Sequence, residues 1–312
     1  MPVVEKDPWR LQYFEAVVCP DDIIIPTDDG DAYRLYPLQR WVYNKLLICE
    51  TQGLEHGPHG IPPARFPVFS KPIYNLRGMG MGGCVIASLA EYGEAERPGH
   101  LWMPLLAGEH VSTDAAVRDG LPLWWRHTTG AALAHGTFDH WSVAAEPRPA
   151  LEEYCGRWLT HHLRGYTGLV NFETIGGVII ECHLRFADQW VDLYGAGWLE
   201  SVVELYARGR WDFADRERRP GYSVVLFGQH GVRHRIDPAV VDRLRAMPGV
   251  SSIQITFHPD RPPESHAMPP GGFRLAIVNC WDLPVGLLVR ERLAAAFATP
   301  AETARSSEGR AS

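Results

Sequence analysis

The amino-acid sequence predicts an α+β protein, with α and β elements mixed along the chain (α/β mixed). The chain has 312 residues, which at roughly 150 residues per domain indicates about two domains or lobes. Hydrophobic residues make up 46% of it and charged residues 21%, a mixture that can bury a full-sized core. Short β-branched runs and stretches of helical spacing follow one another in mixed order, which is typical of this fold class.

The first half of the chain predicts short elements separated by loops. Gly and Pro mark the loops, whereas β-branched runs and helical spacing mark the elements. In chain order these are a short buried strand and a turn (21–29), a helical region interrupted at Pro37 (32–54), a loop (55–67), a strand entering a glycine-rich loop (68–83), a strand, helix and strand (84–106), and a strand pair closing on a turn (108–120).

The second half predicts longer elements. Residues 149–164 indicate a helix, because its first turn is acidic and its last turn is basic, as the helix dipole favours. Residues 166–185 indicate a β-hairpin with Gly176 and Gly177 as its turn. The remaining predicted elements are a helix (199–211), the strands PGYSVVLFG and SIQITF, a strand–turn–helix segment ending at Phe297, and a disordered tail (299–312).

Charge and cysteine content indicate the compartment and the partners. The net charge of −7 and the pI near 6.0 imply no general affinity for nucleic acid or an anionic membrane. The N-terminus lacks the pattern of a signal peptide, and no apolar run approaches the ~20 residues of a membrane span. The six cysteines form no C-x-x-C motif and are expected to be free thiols in a reducing cytosol. We therefore expect a cytoplasmic protein.

A glycine-rich segment, RGMGMGG (77–83), follows a predicted strand that ends in Lys71 and Pro72. Glycines let backbone amides approach an anion closely, and a nearby lysine neutralises its charge. The segment matches neither the P-loop pattern nor the dinucleotide-binding fingerprint. It therefore indicates either a phosphate cradle or an ordinary glycine-rich turn.

Acidic and basic side chains gather at the end of the predicted hairpin. Glu173 and Glu181 are eight residues apart, so both can face one side of the hairpin if the turn centres on the two glycines. His183 and Arg185 follow on the same face. Two carboxylates with an imidazole can hold a divalent metal, and the Arg can clamp a phosphate or carboxylate. The alternative is a strand end whose charged face meets water.

Five short motifs occur in an informative order: YNKL, with Lys45; GIPP; FSKP before the glycine-rich loop; GEHVSTD; and VNFE followed by IIECHLR. In this order they resemble the ATP-grasp superfamily, and the resemblance covers roughly residues 22 to 225. The closing segment RLAIVNCWDLPVGLLVRERL is similar to the C-terminal end of its carboxylase-like branch. Each motif is degenerate, but five in the right order are much harder to obtain by chance.

The resemblance implies the ATP-grasp fold, in which two α+β lobes grip a nucleotide. Residues 1–44 would be the remnant of an N-terminal region, and residues 45–107 the lobe with the glycine-rich lid. Residues 108–298 would form the second lobe, with the metal-binding hairpin and a C-terminal extension.

The resemblance also implies the roles of individual residues. Lysines and the lid would contact the ATP phosphates, the hinge backbone (103–106) would recognise adenine, and Arg185 and Lys71 would act on the transferred phosphoryl group. The implied ATP-binding residues are Lys45, Lys71, Arg77, Gly78, Gly80, Gly82, Met103, Leu105, Leu106, Glu109 and His110. The implied ligands of Mg or Mn are Glu173, Glu181 and His183.

The sequence departs from the superfamily pattern at two points. His183 stands where members usually have Asn. Only 44 residues precede Lys45, where members have a domain on the order of a hundred residues that forms one wall of the acceptor site. We expect that a second copy or a partner subunit completes the site.

The expected function is that of an ATP-dependent, ADP-forming ligase of the carboxylate–amine type. It would activate a small-molecule carboxylate as an acyl phosphate for attack by an amine or another nucleophile. One alternative is a nucleotide-binding regulatory or scaffold protein without ligase activity, and another is a small-molecule kinase. The fourteen histidines alone suggest zinc, but no zinc-binding spacing supports it.

Overall fold

The computed structural model describes residues 3–4, 12–14, 16–76, 80–133, 137–229, 232, 234–257 and 273–297. The predicted ATP ligands Arg77 and Gly78 and the predicted tail (299–312) lie outside the described residues. The described chain forms a four-stranded sheet, an eight-stranded sheet and a two-stranded pair, with helices packed on the sheets. This architecture confirms the predicted α+β class.

Short elements precede the four-stranded sheet. The helical region is interrupted near Pro37, as predicted, but α1 begins where the sequence predicts a turn. The Asp28 carboxylate accepts a hydrogen bond from the N–H of Asp31, and this cap starts the helix immediately after the apolar run. The elements are β1 (Val3–Val4), β2 (Ile25–Pro26), α1 (Asp29–Leu35), a 3-10 helix (Arg40–Tyr43) and α2 (Lys45–Glu50).

The four-stranded sheet is antiparallel throughout, with the order β3-β6-β4-β5. One of its faces carries Val68, Ile86 and Trp102, which pack with Tyr92 of helix α3. The other face carries Lys71 and Met103, because each is an odd number of residues along its strand from the core residues Val68 and Trp102. The elements are β3 (Gly57–Pro58), β4 (Val68–Pro72), β5 (Cys84–Ile86), α3 (Leu89–Ala95) and β6 (His100–Pro104).

The eight-stranded sheet is also antiparallel, with the order β11-β10-β7-β8-β9-β12-β14-β13. The strand pair predicted within residues 108–120 is wrong, because the turn at Asp119 and Gly120 follows a single strand that pairs with the next one. The strands are β7 (His110–Arg118), β8 (Leu121–Ala132), β9 (Phe138–Val143), β10 (Gly168–Ile175), β11 (Val178–His183), β12 (Gly221–Gly228), β13 (Val250–Ile255) and β14 (Phe273–Cys280).

Helices pack on both faces of this sheet. Buried Trp158 and Leu159 of α4 pack against one face, and Trp198 and Leu205 of α5 belong to the core on the other. The elements are α4 (Pro149–His162), a 3-10 helix (Val191–Tyr194), α5 (Trp198–Arg208), α6 (Pro238–Arg245) and α7 (Leu283–Ala296). No helix in the described part of the chain is long and apolar enough to cross a membrane.

The predicted hairpin is confirmed as β10 and β11. Glu173 lies directly opposite Glu181, and Asn171 lies opposite His183, so the two glutamates share a face. Residues 105–109 connect the last strand of the small sheet to the first strand of the large one. The predicted division after residue 107 falls in this connection, and the lobe boundaries stay a prediction.

Candidate active site

Three separate elements bring two lysines to one carboxylate. Lys45 is the first residue of α2, which Asn44 caps through a hydrogen bond from the N–H of Leu46. Its Nζ lies 3.6 Å from Glu181 Oε2 on β11, and Lys71 Nζ on β4 lies 4.0 Å from Glu181 Oε1. Both lysines are buried, with exposed fractions of 5% and 6%. Lys71 also donates to the carbonyl of Ile180, at 2.8 Å.

The two ammonium groups are not fully neutralised. Burial lowers the pKa of Lys71, Glu181 raises it and the neighbouring Lys45 lowers it further, with a net downward shift. One carboxylate therefore faces two cations at distances longer than a direct hydrogen bond. The local excess of positive charge suits an anionic ligand such as a polyphosphate.

His183 directs one ring nitrogen towards this cluster. Its Nδ1 lies 3.0 Å from Asp29 Oδ1, and the side chain is only 4% exposed. Its Nε2 is buried, has no hydrogen-bond partner among the described residues, and lies 3.7 Å from Glu181 Oε2. A buried polar atom without a partner is rare in folded proteins, and this one is free to bind a ligand.

Arg185 is held by the Asp29 carboxylate and by one main-chain carbonyl. Its Nε and Nη2 donate to the two oxygens of Asp29 at 3.0 and 3.1 Å, and its Nη1 donates to the Phe186 carbonyl at 3.2 Å. A guanidinium carries five N–H groups, so two have no partner among the described residues. Burial opposes the charge of Arg185, but Asp29 outweighs it and raises the pKa. Burial likewise opposes ionisation of Asp29, yet Arg185 and His183 lower its pKa well below the usual value.

Glu173, the second hairpin glutamate, pairs with His110 of β7. His110 Nε2 lies 3.0 Å from Glu173 Oε2. Burial works against both charges, but the hydrogen bond between them lowers the pKa of Glu173 to about 2 and raises the pKa of His110. His110 therefore contacts a predicted metal ligand, and its predicted part in ATP binding stays a prediction.

The residues predicted to bind adenine and the lid glycines lie around the connection between the sheets. The Met103 side chain is buried against Leu101 and Cys49, whereas Leu105 is exposed. No described residue makes a main-chain hydrogen bond with Leu105 or Leu106, and the contact of this backbone with adenine stays a prediction. Glu109 Oε2 accepts a hydrogen bond from Arg148 Nη1 at 2.8 Å.

Of the predicted lid glycines, Gly80, Gly82 and Gly83 are described, and Gly80 and Gly82 adopt positive φ. A Cβ at Gly82 would lie 3.1 Å from Pro72 at the end of β4. The loop therefore turns back against the strand that carries Lys71, and its contact with ATP stays a prediction.

The sequence analysis missed Asp29 and Asp114. Asp29 is the last residue of the segment interpreted as a strand and a turn (21–29), and it lies 154 residues before its partner His183. Asp114 is buried and accepts hydrogen bonds from Asn171, Tyr194 and the N–H of Ala187. Burial raises the pKa of Asp114 to about 6 despite these donors. Its contacts fix the segment that follows Arg185.

A second overlooked signal is lysine usage. The chain has three lysines, at positions 6, 45 and 71, among 30 basic Lys and Arg residues. Two of the three are buried beside each other at this site. A lysine is a compact point charge, whereas Arg recognises flat anions with a fork of donors, so the chain uses lysine where a point charge is needed.

The residues fit the implied divalent cation only together with other ligands. The lone Nε2 of His183 and the carboxylates of Glu173 and Glu181 are the donor types that bind Mn or Mg. Within the described chain, however, no three His, Cys, Asp or Glu side chains converge closely enough to hold a metal ion. Phosphate oxygens of a bound nucleotide would supply the missing ligands.

No protein-family model matches the sequence, and no curated protein matches it. Solved structures do match. Phosphoribosylamine–glycine ligase from Thermotoga maritima aligns with a TM-score of 0.61 at 14% identity, covering 93% of this chain and 86% of that one. L-amino acid ligase from Bacillus licheniformis aligns with a TM-score of 0.58 at 13% identity, covering 93% and 82%. Carboxyaminoimidazole ribonucleotide synthase from Aspergillus clavatus, complexed with ATP, aligns with a TM-score of 0.58 at 12% identity, covering 86% and 76%.

The chain therefore has the α+β fold that these ligases and synthases share. More particularly, it has the ATP-grasp fold that the order of its motifs predicts, and that prediction is confirmed. At identities of 12–14% the likeness concerns the fold alone.

The His110–Glu173 pair generates a prediction about stability and pH. Because the pKa of Glu173 is lowered, its ionised form stabilises the fold at pH values above the ordinary pKa of 4.5. This stabilisation is lost as the pH falls through about 2. Because the pKa of His110 is raised, its protonated form stabilises the fold at pH values below the ordinary pKa of 6.5. This stabilisation is lost as the pH rises above 6.5 and through the raised pKa. We expect His110→Gln to lower the free energy of unfolding by about 1 kcal/mol between these two ordinary values and by less at alkaline pH.

Urea unfolding of the wild type and of His110→Gln, between these two pKa values and at alkaline pH, measures the difference in the free energy of unfolding. The exposed His161 provides the control, since His161→Gln should give a difference that does not vary in this way. A difference for His110→Gln that is constant with pH would contradict an ion pair.

Proposed function

We propose that the protein is an ATP-dependent, ADP-forming ligase that joins a small carboxylic acid to an amine or another nucleophile. The observation that carries the proposal is the convergence of two buried lysines and one glutamate beside the unpartnered Nε2 of His183. The fold supports the same proposal, because matching structures include ligases and a synthase complexed with ATP.

The proposed reaction has two steps. A carboxylate oxygen of the substrate attacks the γ-phosphorus, the bond from that phosphorus to the bridging oxygen breaks, and ADP leaves with an acyl phosphate remaining. The nucleophile then attacks the acyl carbon, the bond from carbon to the phosphate oxygen breaks, and inorganic phosphate and a proton are released. Neither step needs a covalent bond to the protein, so catalysis depends on positioning and electrostatics.

The side chains divide this work. Lys45 and Lys71 would neutralise the phosphates through their shared excess charge. The two unpartnered N–H groups of Arg185 would contact the phosphoryl group as it is transferred. Glu173, Glu181 and His183 would hold Mg or Mn, which offsets negative charge on the phosphates. The main chain at Leu105 and Leu106 would bind adenine.

The requirement for acceptors tests the proposal directly. We expect ADP to be released from ATP only when both a carboxylic acid and a nucleophile are supplied, because the acyl phosphate must be consumed. A screen of acid and amine pairs, with released ADP as the readout, measures this. ADP release that needs a single acceptor would identify a small-molecule kinase. ATP binding without release under any pair would identify a regulatory or scaffold protein.

Lys71 provides a test of nucleotide binding. Lys71→Ala removes a charge-assisted contact with phosphate, so we expect ATP affinity to fall about ten- to hundredfold. Calorimetric titration with ATP and a divalent cation measures the change. The matched control is Ser70→Ala, because Ser70 is on the same strand and contacts His59 on the opposite face. Equal ATP affinity in Lys71→Ala and wild type would remove Lys71 from the site.

His183 provides a test of metal preference. Imidazole nitrogen favours manganese over magnesium, whereas the amide oxygen of Asn favours magnesium. We expect His183→Asn to lower the ratio of manganese-supported to magnesium-supported ADP release. His161→Asn, at an exposed histidine of α4, should leave the ratio unchanged. A ratio that His183→Asn also leaves unchanged would exclude His183 as a metal ligand.

A further inference from the structure

Asp29 joins two residues of the proposed site. It is the first residue of α1, and only 4% of it is exposed. Its Oδ1 accepts hydrogen bonds from His183 Nδ1 and Arg185 Nε, both at 3.0 Å, and its Oδ2 accepts from Arg185 Nη2 at 3.1 Å. One buried carboxylate thus contacts both side chains that end the hairpin strand.

The contact with His183 fixes the tautomer of the imidazole. An ionised carboxylate can only accept hydrogen bonds, so the proton of a neutral His183 must be on Nδ1. Its Nε2 then carries a lone pair, and this is the buried atom without a partner. Glu181 Oε2 lies 3.7 Å away and is also an acceptor, so neither atom can satisfy the other. A cation between them would satisfy both.

The contact with Arg185 fixes the direction of the guanidinium. Asp29 occupies the side edge formed by Nε and Nη2, and the Phe186 carbonyl accepts from Nη1. The outer N–H groups of Nη1 and Nη2 are left, and they point away from Asp29 because the guanidinium is planar.

We propose that Asp29 is a positioning residue that aims the Nε2 of His183 and the outer N–H groups of Arg185 into one site. The inference rests on the proposed function and extends it to α1. Asn, the usual residue of the superfamily at position 183, has no tautomers to select. A histidine there needs a partner that keeps Nε2 unprotonated, and Asp29 is that partner.

The tautomer of His183 tests this link without metal or nucleotide. Nitrogen-15 NMR of the metal-free protein at about pH 8, where an unperturbed histidine is neutral, distinguishes the two tautomers. We expect wild type to carry the proton on Nδ1, and Asp29→Ala, which leaves no acceptor opposite Nδ1, to populate the Nε2–H form, which can donate to Glu181. The control is Asp31→Ala on the same helix, which should keep the wild-type tautomer. An Nε2–H form in wild type, or the same Nδ1–H form in Asp29→Ala, would overturn the proposal.

Manganese binding tests the consequence for the site. With Mn²⁺ and a non-hydrolysable ATP analogue, we expect nitrogen-14 modulation from a bound imidazole in pulsed electron paramagnetic resonance of wild type. Asp29→Asn should weaken that signal and lower Mn²⁺ affinity about 10- to 100-fold, as losses of partners of metal-binding histidines do.

The His183→Asn background separates positioning from a structural role. If Asp29 acts through His183, then Asp29→Asn should lower Mn²⁺ affinity less than about twofold in that background. An equal loss in both backgrounds would show that Asp29 only supports the fold, and would overturn the inference.

Two further measurements keep the result interpretable. Because Asp29→Ala leaves Arg185 buried without its partner, the variant Asp29→Ala with Arg185→Gln removes both charges, and His183 should still lose its fixed tautomer. Calorimetry reports nucleotide binding separately. If wild type does not bind nucleotide, the proposed function and the manganese part of the inference are overturned. The tautomer of His183 tests the link between Asp29 and His183 independently of nucleotide binding.

Discussion

The contact on which the rest of the site depends is the sharing of one carboxylate by two buried ammonium groups. Lys45 begins α2, Lys71 lies on the small sheet and Glu181 lies on the edge strand of the large one. Removing a charge from water costs several kcal/mol unless close partners compensate, and one carboxylate compensates two ammonium groups only in part. The arrangement is therefore poor for stability alone. It is well suited to an anion that enters between the two sheets.

The register of the hairpin keeps this contact in place. Side chains alternate along a strand, so a slip of one residue would turn both hairpin glutamates to the opposite face. A bulge lies between Glu173 and Thr174: Glu173 lies opposite Glu181, but Thr174 lies opposite Ile179. The bulge is next to the glutamates and near the glycine turn. It sets which face the glutamates occupy while the turn remains closed.

Local patterns in the sequence predicted the hairpin, its turn and the shared face of Glu173 and Glu181, because strand alternation and turn chemistry act over a few residues. The position of Asp29 could not be predicted in this way, since its partners are 154 and 156 residues away. The acidic run around it equally fits a turn or a helix cap, and the structure uses Asp28 as the cap. The low number of lysines could have pointed to Lys45 and Lys71, because it requires only a count of lysines in the sequence.

In the proposed function, the charges of the site favour the binding of nucleotide and metal together. Asp29 offsets Arg185, and a protonated His110 offsets one hairpin glutamate, so the buried lysines face the other glutamate with one positive charge in excess. A polyphosphate alone would be attracted by the lysines but repelled by the carboxylates. A divalent cation between carboxylate and phosphate turns that repulsion into attraction. By holding Arg185 at one edge, Asp29 leaves two N–H groups of this arginine without a partner among the described residues, and in the proposed function these groups would contact the transferred phosphoryl group.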